Sequence, residues 1–173
     1  MRICLIDLGG APRDSLQVYF GKHDFVGAED QYDAVVIAGS YEVDGPQPEL
    51  AEPDSATPVI GIGSGFEIAC KLVGLDIAQT FEQAAGSSRL IPTEDGAKLF
   101  QGTDPLIVTE SKRWLIDELP KSLQVLARSE TGIEAFRHKH QPLVALQQLP
   151  EDFVYASDAK LVYGNLFGLF GRV

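Results

Sequence analysis

Ten consecutive residues carry most of the chemical information in this chain: Pro58-Val59-Ile60-Gly61-Ile62-Gly63-Ser64-Gly65-Phe66-Glu67. An apolar strand, a glycine-dense sharp turn and a helical start are the parts of a nucleophile elbow. In that device the turn residue projects over the strand tip, and N–H groups of the turn and helix start face an oxyanion. The apex should be a nucleophile, yet here it is Gly63, which has no side chain. Ser64 is the displaced candidate. At its position the backbone N–H is the expected oxyanion donor, so its hydroxyl should point away from the apex direction. Cys70 falls within the helical stretch that follows and reads as a small buried hydrophobe, as does Cys4 on the first strand. The glycines at 61, 63 and 65 also invite a dinucleotide reading, but the third glycine of Gly-x-Gly-x-x-Gly falls on Phe66.

The elements that must position this turn follow from short apolar runs punctuated by glycine and proline. Strands are predicted over 2–7, 23–28, 34–38 and 58–62, and helices over 14–20 and 66–73. The runs at 34–38 and 58–62 are apolar almost throughout, the pattern of parallel strands covered on both faces. From residue 77 onward the segments are short and mostly β: 77–81, 88–91, 106–109, 123–128, 133–137 and 143–148. Turn-like stretches at 94–96 and 101–104 separate them. A last apolar helix is predicted over 158–170, against Gly164 and Gly168. The proline-rich stretch 46–58 reads as a surface excursion within one domain of 173 residues. None of the three histidines is well placed to serve as a base: His23 starts its strand, and His138 and His140 precede the strand that ends near Leu149. An extended run of nine residues covers about 30 Å, so His140 belongs at the opposite end of the sheet from the elbow.

Composition narrows the classes of function. With 14 Lys and Arg against 25 Asp and Glu the net charge is −11. Such a surface repels phosphate backbones, and Lys112-Arg113 is the longest basic run set against nucleic acid in this reading. No apolar stretch approaches the ~18–20 residues of a membrane span. The N-terminal residues enter a strand pattern without a cleavable signal, and two cysteines make no disulfide framework, so the cytoplasm is the expected compartment.

Several blocks together resemble the class I glutamine amidotransferases, and among them the glutaminase of GMP synthase. The family elbow Gly-Ile-Cys-Leu-Gly-His-Gln is matched in frame by Gly61 to Glu67. Ala127-Arg128-Ser129-Glu130-Thr131 and Ile133-Glu134-Ala135 resemble a second block. The stretch from Pro142 to Glu151 is similar to the family's Pro-Ile-Tyr-Gly-Val-Gln-Phe-His-Pro-Glu. Glu110-Ser111-Lys112-Arg113-Trp114 stands where the family has Glu-Ser-His-Met-Asp, and 33–40 resembles its strand and oxyanion loop. The resemblance implies an α/β, flavodoxin-like three-layer fold with a mostly parallel central sheet and a small β-rich portion. It also implies a Cys-His-Glu triad, in which a thiolate attacks the glutamine amide, the histidine moves the proton and the glutamate orients the histidine.

This chain departs from that pattern at the two positions that react. The nucleophile position is Gly63, the base position is Leu149, and Glu151 alone remains of the triad. Loss of nucleophile or base costs hydrolytic triads on the order of 10⁶ in turnover, so family-type glutamine hydrolysis is not expected. The candidate pocket comprises Gly39, Ser40, Gly63, Ser64, Gly65, Glu67, Glu110 and Lys112. Phe66 and Leu149 suggest that it has become smaller and apolar. Glu67, Glu110 and Glu151 could in principle share a cation, but separate acids are the simpler reading, and no metal or cofactor is expected. Lys112, Arg113 and Trp114 fit a contact with another protein, unless Trp114 is core. The resulting expectation is a non-catalytic relative that binds an ATP-dependent synthetase subunit or a small metabolite. The alternative is an amidotransferase or hydrolase using Ser64.

Overall fold

The computed structural model describes residues 1–9, 13–20, 23–28, 30–39, 56–75, 77, 86–101, 106–110, 115–149 and 152–170. Its centre is a run of parallel strands whose side chains alternate between two cores. β1 (Arg2–Asp7) pairs with β2 (Asp24–Val26) on one side and with β3 (Ala34–Gly39) on the other. β3 pairs with β4 (Val59–Gly63) in a register that sets Gly39 beside Gly63. Every residue of β3 and β4 is buried, which explains why both runs are apolar without alternation.

The two faces take alternate residues. Val36, Ala38, Ile60 and Ile62 enter one core with Leu16 of α1 (Arg13–Tyr19) and Val162, Tyr163 and Leu166 of α3 (Ala156–Leu166). Val35, Ile37 and Val59 enter the other with Phe66, Ala69 and Cys70 of α2 (Ser64–Leu72). The three layers are therefore α1 and α3, the sheet, and α2.

Glycines set how closely α2 approaches. A Cβ on Gly61 would lie 2.4 Å from the Gly65 carbonyl oxygen, and one on Gly65 would lie 1.9 Å from that of Ile37. The Gly-x-Gly-x-Gly run thus seats a helix on two strands, and a dinucleotide is not needed to explain it.

The sheet corrects the expectation of a mostly parallel arrangement. Its order is β2-β1-β3-β4-β9-β8-β7-β5-β6, and only the pairs from β2 through to β9 are parallel. β9 (Leu143–Leu146), β8 (Gly132–His138), β7 (Leu123–Ser129), β5 (Gly86–Pro92) and β6 (Leu106–Glu110) are joined by antiparallel ladders. The reason is connection length: β7 to β8 and β8 to β9 turn within a few residues, and only antiparallel neighbours can be joined so briefly. The β-rich portion continues the same sheet, which ends at β6. There the Val108–Phe153 bridge and a 3.1 Å bond from Val154 N–H to the Ile107 carbonyl lay a later segment along the outer edge.

The last helix is shorter than predicted. α3 stops at Leu166 and the chain tightens into a 3₁₀ turn over Phe167–Phe170, a common way for a helix to end. Phe167 turns inward, its ring 5.4 Å from Phe20 and 5.0 Å from His23. Ile77 is not in a strand, and the rest of the strand predicted at 77–81 lies outside the described residues, as do most of the excursion at 46–58 and positions 102–104. Among the described residues no helix is long and apolar enough to cross a membrane.

Candidate functional site

β4 ends at Gly63, whose φ of 60° and ψ of −122° turn the chain sharply into α2. This positive φ is the strained corner of an elbow, and it strongly favours glycine. No free volume waits at the apex. A Cβ placed on Gly63 would sit 2.2 Å from the Gly39 carbonyl oxygen and 3.0 Å from both Cγ and Cδ2 of Leu149. The end of β3 and the leucine at the base position together fill the space where a nucleophile would stand. Leu149 is 4% exposed.

A buried polar network holds Leu149 there. Its N–H donates to Asp152 Oδ2 at 2.7 Å, and the Asp152 N–H returns to the Leu149 carbonyl at 3.0 Å. One residue earlier, the Gln148 carbonyl accepts from the Tyr163 hydroxyl at 2.6 Å, and Gln148 Nε2 donates to Glu134 Oε2 at 2.6 Å. Glu134 is fully buried in β8 and also accepts from the Ser129 hydroxyl. Gln147 Nε2 reaches the Ile133 carbonyl at 2.8 Å. Most buried polar groups in a core are paired in this way. The network ties the segment after β9 to β8 and to α3, so Leu149 has little room to swing aside.

Sequence reasoning gave no structural role to Glu134, Gln148, Asp152 or Tyr163. The available signal was Glu134, a carboxylate between Ile133 and Ala135 in a strand, where burial demands a partner.

Ser64 opens α2 and lies against Gly39. A Cβ on Gly39 would come 2.5 Å from Ser64 Oγ, 2.7 Å from the Leu8 Cβ and 3.1 Å from the Gly9 carbonyl. Among the described residues the hydroxyl has no hydrogen-bond partner, and Ser64 is only 8% exposed. As a nucleophile it would need a base, and no histidine is at hand: His138 and His140 belong to the hairpin at the start of β9, and His23 packs on Phe167.

Gly65 faces the Ile37 backbone, which makes it part of the seat of α2 and not a lining group. Glu67 is engaged on its own helix by Lys71 Nζ at 2.5 Å. Phe66 belongs to the core, its ring 5.2 Å from that of Phe136, so the expectation that it shrinks the pocket is corrected; of the two, it is Leu149 that does so. Of the predicted group the structure therefore brings together Gly39, Gly63, Ser64 and Leu149. Glu110 ends β6 opposite Gly86. Ser40, Lys112, Arg113, Trp114 and Glu151 lie outside the described residues.

Cys70 lies fully buried inside α2. Burial, reinforced by the nearby Glu67 carboxylate, pushes its thiol up to about 12, so at neutral pH it is neither nucleophile nor metal ligand. Cys4 is buried as well. Among the described residues no three His, Cys, Asp or Glu side chains come together in a way that could hold a metal ion.

Comparison with known proteins agrees with this fold. The model of the family described as glutamine amidotransferase class-I matches residues 18–168. A GMP synthase (glutamine-hydrolyzing) subunit of Pyrococcus abyssi is 35% identical over 96 residues, covering 54% of this chain and 50% of that protein. The protein of the same name from Methanopyrus kandleri is 32% identical over 126 residues, covering 68% and 65%. The chain thus spans half to just under two thirds of the length of these relatives. Among solved structures, a protein from Thermoplasma acidophilum described as a putative GMP synthase subunit superposes with a TM-score of 0.71 at 19% identity, covering 99% of this chain and 96% of the other. A structure of PurLQS from Thermotoga maritima gives 0.70 at 15% identity, covering 98% of each chain. At these identities the structural likeness concerns the fold.

Proposed function

This chain belongs to the class-I glutamine amidotransferase family, and from that premise we propose that it is a member without glutaminase activity, acting as a binding or regulatory subunit. The observation that carries this reading is the closed apex. Gly63 supplies no nucleophile, and the place of its missing side chain is taken by the Gly39 carbonyl and by Leu149 at the base position. Turning over glutamine by the family route needs a thiolate and a proton carrier within hydrogen-bond reach of each other. Neither group is present at these positions.

The partner we assign is an ATP-dependent synthetase subunit in the cytoplasm. Support comes from the relatives, which are named as subunits of GMP synthase, and from the preserved scaffold around an inert apex. A small metabolite is the other occupant consistent with a non-reacting site. Purified protein incubated with glutamine is expected to release ammonia at the buffer rate, with or without the synthetase. Turnover near that of an active relative, abolished by Ser64→Ala, would overturn the proposal in favour of a displaced serine nucleophile.

A further inference from the structure

We infer that the hairpin joining β8 to β9 forms a binding site for a small organic phosphate monoester. A cavity of about 280 Å³ opens there, at the end of β4 away from the elbow. Four successive cationic or potentially cationic residues line it: Arg137, His138, Lys139 and His140. Pro58 and Phe170 contribute an apolar wall. No carboxylate is among its described lining residues, in a chain with 25 Asp and Glu. The volume lies near the lower end of the range for small-ligand pockets.

The side chains are held in place. Arg137 Nε donates to Gln124 Oε1 at 2.6 Å, which fixes the guanidinium and leaves both Nη groups to donate elsewhere. His138 Nδ1 accepts from the backbone N–H of Gln141 at 2.8 Å and of His140 at 3.2 Å. The proton of the neutral ring is therefore on Nε2, which is left as a donor. The two imidazoles stand edge to face, 6.1 Å between centroids. Lys139 Nζ donates to the Lys121 carbonyl at 2.7 Å and keeps two further N–H bonds available.

The donors carried by the residues that line this cavity outnumber the two oxygens of a carboxylate and suit the three terminal oxygens of a phosphate, with the organic part against Pro58 and Phe170. The net charge of −11 does not forbid this. Acids more than about 8–10 Å away are largely screened at physiological ionic strength, while the lining groups act at contact range.

The test is an NMR titration of the imidazole resonances with phenyl phosphate, with benzoate as the carboxylate control and His23 as an internal reference. Phenyl phosphate is expected to shift His138 and His140 in a saturable way below about 1 mM, a weak but specific affinity. His23 should stay in place. Lys139→Gln and His140→Gln, both on the exposed turn, should each weaken binding by about tenfold. The inference is overturned by absence of saturable shifts at that concentration, by benzoate binding as tightly as phenyl phosphate, or by variants of native circular dichroism that bind unchanged.

Discussion

Replacing Gly63 with alanine adds one methyl group at the point where the structure leaves least room for it. Three contributions set the size of the effect. Holding an L-residue at a φ of 60° and ψ of −122° costs about 1–3 kcal/mol. Overpacking costs about 1–3 kcal/mol, and here the upper part applies, because the atom 2.2 Å away is a backbone oxygen that cannot rotate aside. The lower entropy of an unfolded chain carrying alanine returns only about 0.4–1 kcal/mol. The net loss is about 3–5 kcal/mol, enough to move a urea midpoint down by about 1.5–2.5 M at an ordinary slope for this size. Equilibrium unfolding of Gly63→Ala, Leu149→Ala and the double variant separates the two obstacles. Trimming Leu149 removes the 3.0 Å contacts and leaves Gly39 in place, so alanine at 63 should still cost most of its original amount in the Leu149→Ala background. A shift under about 0.3 M for Gly63→Ala would show that the apex is open and defeat the reasoning. Full recovery in the double variant would assign the obstruction to the leucine alone.

Two further predictions concern buried groups. Because the Cys70 thiol is raised to about 12, the unfolded chain releases its proton first as pH rises through the ordinary thiol value of 9.0. The native state then binds more protons than the unfolded state, and stability falls between about pH 9 and 12. Cys70→Ala should flatten that part of a pH series of urea midpoints, and identical slopes in the two proteins would contradict the assignment. Glu134→Ala strips Gln148 Nε2 of its acceptor inside the core, while the Ser129 hydroxyl keeps the Thr131 hydroxyl at 2.8 Å. The expected loss, about 1–3 kcal/mol for the group left unpaired, is measured by thermal or urea unfolding. A loss below about 0.5 kcal/mol would mean that water or another group satisfies Gln148 Nε2.

The strand-turn-helix from Val59 to Leu72 was legible because three local signals agree there: an apolar run, a glycine corner and a helical start. The alternation of residues on β3 and β4 between two cores follows from the same pattern. Strand order was not legible as a whole, since nothing local states which runs pair. The short loops around Gly132 and between His138 and Leu143 carry antiparallel ladders, which the mostly parallel sheet implied by the family resemblance does not include. The position of Leu149 was readable from its motif, but its confinement was not. That depends on Asp152, which bonds the Leu149 backbone, and on Glu134 of β8 and Tyr163 of α3, which hold the neighbouring Gln148. Phe66 was misjudged because adjacency to the apex in sequence says nothing about which side of a helix faces the core.

The segment that leaves Leu149 finishes its course along β6, where Phe153 bridges Val108 and Val154 donates to Ile107. A sheet margin left bare would offer its amide and carbonyl groups to any passing extended chain. Here part of that margin is already occupied from within, while the opposite margin is only the three residues of β2. The molecule thereby gains resistance to edge-to-edge aggregation. Amide exchange around Ile107 to Thr109 should accordingly be slow for a strand at the rim, and the same clasp couples any fraying of that rim to release of the chain that plugs the elbow.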